Sequence, residues 1–122
     1  MNDLERLHKH LLSYPETTEE FPFGPDAAVY KVAGKLFAIL IPDELPARMN
    51  LKCDPDRAVE LRTGYEAVEP GYHMNKKHWN TLVLDGSLKE DFVEELVRHS
   101  FDLVVAGLKK DVREMVREQL SD

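Results

Sequence analysis

Residues 28–41 read Ala28-Val29-Tyr30-Lys31-Val32-Ala33-Gly34-Lys35-Leu36-Phe37-Ala38-Ile39-Leu40-Ile41, two apolar, β-branched runs with a short break between them. The break at Gly34-Lys35 suits a tight hairpin, because glycine enters positive φ without the steric cost a Cβ brings. The second run is apolar on both faces, which predicts a central strand. Beyond Pro42 and Pro46 the side chains alternate: Ala47, Met49, Leu51 and Cys53 point one way, Arg48, Asn50 and Lys52 the other. Period-two patterning of this kind predicts a third strand with one wet face.

Helical spacing surrounds this meander. Leu4, Leu7, Leu11 and Leu12 share one face of a helical wheel, with Asn2 or Asp3 available as its cap and Pro15 closing it. Glu16 to Asp26, punctuated by Pro22, Gly24 and Pro25, reads as an ordered extended segment and turn whose Phe21 and Phe23 pack inward. Asp54-Pro55 opens a short helix that Gly64 ends. Asn80 to Leu84 returns to strand character, and Ser87 with Glu90 fits a reciprocal capping box. Phe92, Val93, Leu96, Val97, Phe101, Val104 and Val105 then recur every three or four residues up to Gly107. Leu108, Val112, Met115 and Val116 keep helical spacing to Leu120, as either a bent continuation or a second helix. The order predicts one α+β domain over residues 1–122, with an antiparallel sheet of four to five strands packed against an N-terminal helix and C-terminal helices.

The chain has 122 residues, 43% hydrophobic and 32% charged, a balance that excludes a disordered chain. Its longest apolar run, Leu36 to Ile41, is far too short to cross a bilayer, so no membrane partner is expected. Met1 to Glu5 lacks the basic and then apolar regions of a signal peptide, and Cys53 is the single cysteine, so the expected compartment is the cytoplasm. The net charge of −7 argues against nucleic acid, whose phosphates draw on Lys and Arg. The charge is uneven, however: residues 1–30, 31–82 and 83–122 sum to −4, +1 and −4.

Residues 71–80, Gly71-Tyr72-His73-Met74-Asn75-Lys76-Lys77-His78-Trp79-Asn80, are the segment densest in groups able to bind something. The run from His73 to Thr81, followed by Leu84-Asp85-Gly86-Ser87-Leu88, resembles the signature of the MmcQ/YjbR family. Phe21-Pro22-Phe23-Gly24, Lys31-Val32 with Gly34-Lys35-Leu36-Phe37-Ala38, and Leu51-Lys52 before Pro55 are similar to its other blocks, from about residue 14 to residue 105. The resemblance implies a CyaY-like, frataxin-related fold, and low-affinity DNA binding through a "double wing" arrangement. On that reading Arg48, Lys52, Lys76 and Lys77 neutralise phosphates, while Asn50, Asn75 and Asn80 reach toward bases. Trp79 or Tyr72 would stack on an unpaired base, with His73 and His78 completing the surface. The same side chains also read as solvated groups on an ordinary sheet face, with Trp79 in the core.

Other chemistries find little support in the sequence. His73 and His78 stand five apart without cysteines, so no metal is expected; the first helix offers only Asp3 and Glu5 beside Arg6 and Lys9 for frataxin-like iron. Cys53 lies on the apolar phase of its strand, Ser87 reads as a cap, and Ser13 and Ser100 lack an obvious base. No phosphate loop or dinucleotide fingerprint appears, so neither catalysis nor a cofactor is expected. The alternative to DNA is a non-catalytic small-molecule or protein interaction module using the 71–80 loop, with Phe21 to Pro25 lining a shallow pocket or plugging the core. A monomer is expected.

Overall fold

The computed structural model describes residues 4–120, so the expected caps Asn2 and Asp3 lie outside the described residues. The hairpin at its centre joins β2 (Ala28–Val32) to β3 (Lys35–Ile41). Its turn sits one residue earlier than the sequence suggests. Ala33 and Gly34 occupy the two central positions with φ of 48° and 84°, and Lys35 pairs with Val32. Two consecutive positive φ values match the right-handed twist of the flanking strands. Ala33 holds this conformation while its N–H donates to the Glu16 carbonyl at 2.9 Å, which ties the turn to the preceding segment.

Six strands form one antiparallel sheet, in the order β1 (Thr17–Glu20), β2, β3, β4 (Ala47–Lys52), β6 (Trp79–Leu84), β5 (Val68–Pro70). The count exceeds the four to five expected because both edge strands are short. β1 reads Thr-Thr-Glu-Glu, with no apolar period, and β5 spans three residues ending in Pro70. Such edges resist pairing with another chain, since charge and proline disfavour an added strand. β3 sits between β2 and β4, the central place its two apolar faces require.

The helices cover one face. α1 (Leu4–Leu12) buries Leu7 and Leu11, and α3 (Glu90–Ala106) crosses β3 and β4 with Val93, Leu96, Val97, Phe101 and Val104 inward. α2 (Pro55–Gly64) starts where Asp54 Oδ2 accepts the Arg57 N–H at 3.1 Å, a cap that satisfies one otherwise orphaned donor. α4 (Lys110–Leu120) is a separate helix, because Gly107 ends α3 with its N–H on the Val104 carbonyl. The expected capping box does not form: α3 begins at Glu90, with Lys89 at the cap position. Ser87 instead donates both its N–H and its hydroxyl to Asp85 Oδ1, at 2.9 and 2.6 Å. The Asp85-Gly86 turn therefore claims Ser87 before the helix begins.

Aromatic contacts mark the centre of this helix-side core. Phe37 meets Phe101 edge-on at 5.3 Å, and Tyr14 stacks on Phe101 at 4.5 Å. Ser100, wholly buried, bolts α3 to two strands: its hydroxyl donates to the Phe37 carbonyl at 2.6 Å and accepts the Lys52 N–H at 2.9 Å. At the β1 edge, Tyr30 donates to Glu19 at 2.6 Å, with His8 Nδ1 3.0 Å from the same hydroxyl. Among the described residues no helix is long and apolar enough to cross a membrane.

Candidate binding groove

Strand residues that do not face the helices form rows across the opposite side of the sheet. Register places Val29 beside Ile39, Ile39 beside Asn50, Asn50 beside Thr81, and Thr81 beside Glu69. Val29 and Ile39 are buried, yet they stand apart from the helix-side core cluster. Their cover comes from two loops. Pro22, Phe23 and Ala27 approach from the β1–β2 connection, and Tyr72, His73 and Met74 from the β5–β6 connection. Between them runs an open groove of about 580 Å³, floored by Val29, Leu36, Ile39 and Ile41, with Lys31 and Asn50 as the polar groups of the sheet.

The 71–80 segment is held in place chiefly by its own backbone and by Asn50. Gly71 starts it; a Cβ there would lie 2.8 Å from both the Cβ and the carbonyl oxygen of Trp79, so only glycine lets the chain turn so close to β6. Tyr72 N–H donates to Thr81 Oγ1 at 2.9 Å, and the Thr81 hydroxyl donates to Asn50 Oδ1 at 2.5 Å. Asn50 Nδ2 then donates back to the Tyr72 carbonyl at 3.2 Å. This closed ring of polar groups straps Tyr72 onto the sheet. His73 follows with φ of 58°, a left-handed conformation unusual for a side chain with a Cβ, and its ring lies 4.0 Å from that of Tyr72. Further along, Asn75 Oδ1 accepts the Lys77 N–H at 2.9 Å, Arg62 donates to the Lys76 carbonyl at 2.8 Å, and Lys76 Nζ donates to the Gly71 carbonyl at 3.1 Å.

The residues singled out in the sequence are thus dispersed. Asn50 is not on a wet face: it is 3% exposed, because the Tyr72 strap covers it. Asn80 points to the helix side, where its Nδ2 donates to the Ala58 carbonyl at 3.3 Å. Arg48 is ion-paired to Glu69 at 3.0 Å. Asn75 and Lys76 brace their own loop, while Lys52, His78 and Trp79 are half-buried; Lys77 and His73 are exposed. Phe21 and Phe23 do not pack inward; they are 51% and 77% exposed, because β1 ends before them and the loop carries them past the sheet edge. The groove that Phe23 borders was announced in the sequence only by the second apolar face of residues 36–41.

Reactive groups lie elsewhere. Cys53 is buried on the helix side, and burial pushes its thiol pKa up, away from the nucleophilic thiolate. Burial lowers the pKa of His99, whose Nε2 accepts the Asp54 N–H at 3.1 Å. Among the described residues no three His, Cys, Asp or Glu side chains gather as a metal site would require.

Fold and groove together define a small α+β protein whose antiparallel sheet is backed by helices on one side and open to a ligand-sized cleft on the other. The chain belongs to the YjbR family, whose family model matches residues 12–103. It is 36% identical to YjbR of Escherichia coli over 113 residues, covering 93% of this chain and 96% of that one. It is 37% identical over 97 residues to YbdF of Escherichia coli O157:H7, covering 80% of each. Among solved structures it resembles the Deinococcus radiodurans protein DR2400, with a TM-score of 0.87 at 36% identity, covering 95% of this chain and 88% of that one. A protein from Pseudomonas syringae matches with a TM-score of 0.71 at 30% identity, covering 84% and 98%.

Proposed function

We propose that this chain is a non-catalytic binding module whose ligand lies in the groove between residues 22–27 and 72–74. One observation carries the reading: a sheet face rich in Val and Ile is left without a helix, and two loops frame it as a cleft of about 580 Å³. Ligand sites of soluble proteins are concave, mainly apolar clefts of about 300–1,000 Å³ with few polar groups. Phe23, Ile41 and Met74 supply apolar contact, and the exposed His73 supplies hydrogen bonding.

DNA binding, which the family resemblance implies, draws less support from this geometry. Arg48 is neutralised by Glu69, Asn50 and Asn80 are buried on opposite faces, and the net charge is −7. Lys52, Lys76, Lys77 and His78 remain at one end of the sheet as the candidate phosphate contacts.

Titration with Nile red, an uncharged apolar fluorophore, tests the groove. Emission should rise on the native protein, persist at high salt, and fall sharply in Ile41→Gln and Phe23→Ser, whose circular dichroism should match the parent. Emission unchanged by either substitution would place the dye elsewhere and refute the reading. A labelled DNA duplex run in parallel supplies the other arm: salt-sensitive binding lost in Lys76→Ala/Lys77→Ala would replace the groove by a polyanion surface.

A further inference from the structure

The two ends of the sheet that flank the groove differ in charge. β4 starts at Ala47 beside the 42–46 loop and ends at Lys52. Because Ala28 pairs with Leu40, the 21–27 and 42–46 loops leave the sheet at the same end. The charged side chains in these two loops are Asp26, Asp43 and Glu44, all exposed and without an ion-pair partner among the described residues. Lys31, the cation on the groove floor, is already held by Glu20 at 3.2 Å. At the far end stand Lys52, Lys76 and Lys77.

Apolar surface continues past the groove at the acidic end. Phe21, Phe23 and Leu45 are 51%, 77% and 97% exposed there, further than a small ligand seated on Ile39 needs. Exposed aromatic and aliphatic groups rimmed by charge mark contact surfaces on soluble proteins. On the floor, Asn50 is buried and already bonded to Tyr72 and Thr81, so the cleft itself offers an occupant mainly apolar contact.

We propose, resting on the groove reading, that the occupant is an extended, apolar peptide segment of a partner protein whose basic end lies against Asp26, Asp43 and Glu44. Apolar side chains fill the cleft and cover Phe23, while Arg or Lys neutralises carboxylates that have no ion-pair partner among the described residues. The mode is side-chain recognition of an extended segment, with charge fixing its direction.

Three tagged peptides test this, sharing a Phe-Leu-Phe-Leu core and ending in three arginines, three glutamines or three glutamates. Anisotropy should rank them arginine, glutamine, glutamate, with the arginine peptide about tenfold tighter than the glutamine one at low salt, since exposed ion pairs contribute roughly twofold each. Asp26→Asn/Asp43→Asn/Glu44→Gln should erase that advantage and leave Nile red binding unchanged. Ile41→Gln should weaken all three peptides and the dye. An arginine peptide no better than the glutamine one, or an advantage that survives the triple substitution, overturns the basic-segment proposal while the groove reading stands. Loss of dye binding in the parent protein sinks both. Sedimentation showing a concentration-dependent dimer abolished by Phe23→Ser assigns the surface to a second copy of this chain and overturns the proposal.

Discussion

Replacing Asn50 by alanine removes the side chain that closes the ring with Thr81 and Tyr72. Two hydrogen bonds disappear at a residue 3% exposed: the Tyr72 carbonyl loses its donor, and the buried Thr81 hydroxyl loses its acceptor where water has little access. Each bond contributes about 1 kcal/mol net, and stranding a buried polar group adds to the loss, so the expected destabilisation is about 2–3 kcal/mol. For a chain of this length that lowers the melting temperature by about 10 °C. The domain stays folded, because stabilities of about 5–15 kcal/mol absorb such a loss. Urea denaturation gives the free energy. A cycle with Thr81→Val isolates the pair and should return a coupling of about 1 kcal/mol, as for residues in one hydrogen-bond network. Amide exchange at Tyr72 should quicken in Asn50→Ala while exchange at Phe101 changes no more than the global loss requires. A destabilisation under about 0.5 kcal/mol, the size of an ordinary surface change, would refute the ring as the strap's anchor. Strictly additive single changes would do the same.

Ser100→Ala unbolts α3 from the Phe37 carbonyl and the Lys52 N–H and should cost about 1–3 kcal/mol by urea titration, with Ser100→Thr no better owing to the added methyl in a filled core. Gly71→Ala drives a Cβ to 2.8 Å from the Trp79 carbonyl; the β5–β6 edge must shift, costing about 1–3 kcal/mol by thermal melting and disturbing Trp79 fluorescence. Burial holds the folded-state pKa of His99 below its ordinary 6.5, so the unfolded chain takes up the proton first. Stability should therefore be full above that value and decline as pH falls through it; His99→Gln should flatten the decline between pH 7 and pH 5, and an unchanged slope would remove His99 as its source.

How much could be read from the sequence depends on where the physics is local. The α2 start at Asp54-Pro55, the α3 stop at Gly107 and the central position of residues 36–41 follow from caps, turns and apolar period, and each appears in the structure. The extended course of residues 16–26 was legible, but β1 itself was not, because Thr17 to Glu20 become a strand by pairing with Val29 to Val32, a partner the local pattern does not name. Ser87 misled for a related reason: a capping box and an aspartate-led turn use the same hydroxyl, and Asp85 is nearer. For the site, alternation correctly put Arg48, Asn50 and Lys52 on one face. It could not reveal that Tyr72 folds back over that face, because that cover depends on a hydrogen bond between residues 22 apart in the chain. Asn80 and Trp79, adjacent in sequence, illustrate the same limit: neighbours on a strand face opposite ways, so a dense segment does not make a dense surface.

Because the two sides of β3 are secured by different means, aromatic stacking beneath and a polar ring with two loops above, mutation can act on them separately. Val29, Ile39 and Ile41 stand outside the helix-side cluster, and exchanges among aliphatic residues there reshape the cleft at little cost to folding. The cleft side can thus change shape by substitution while the helix-side core, Gly71 and the ring at Asn50 hold the scaffold constant.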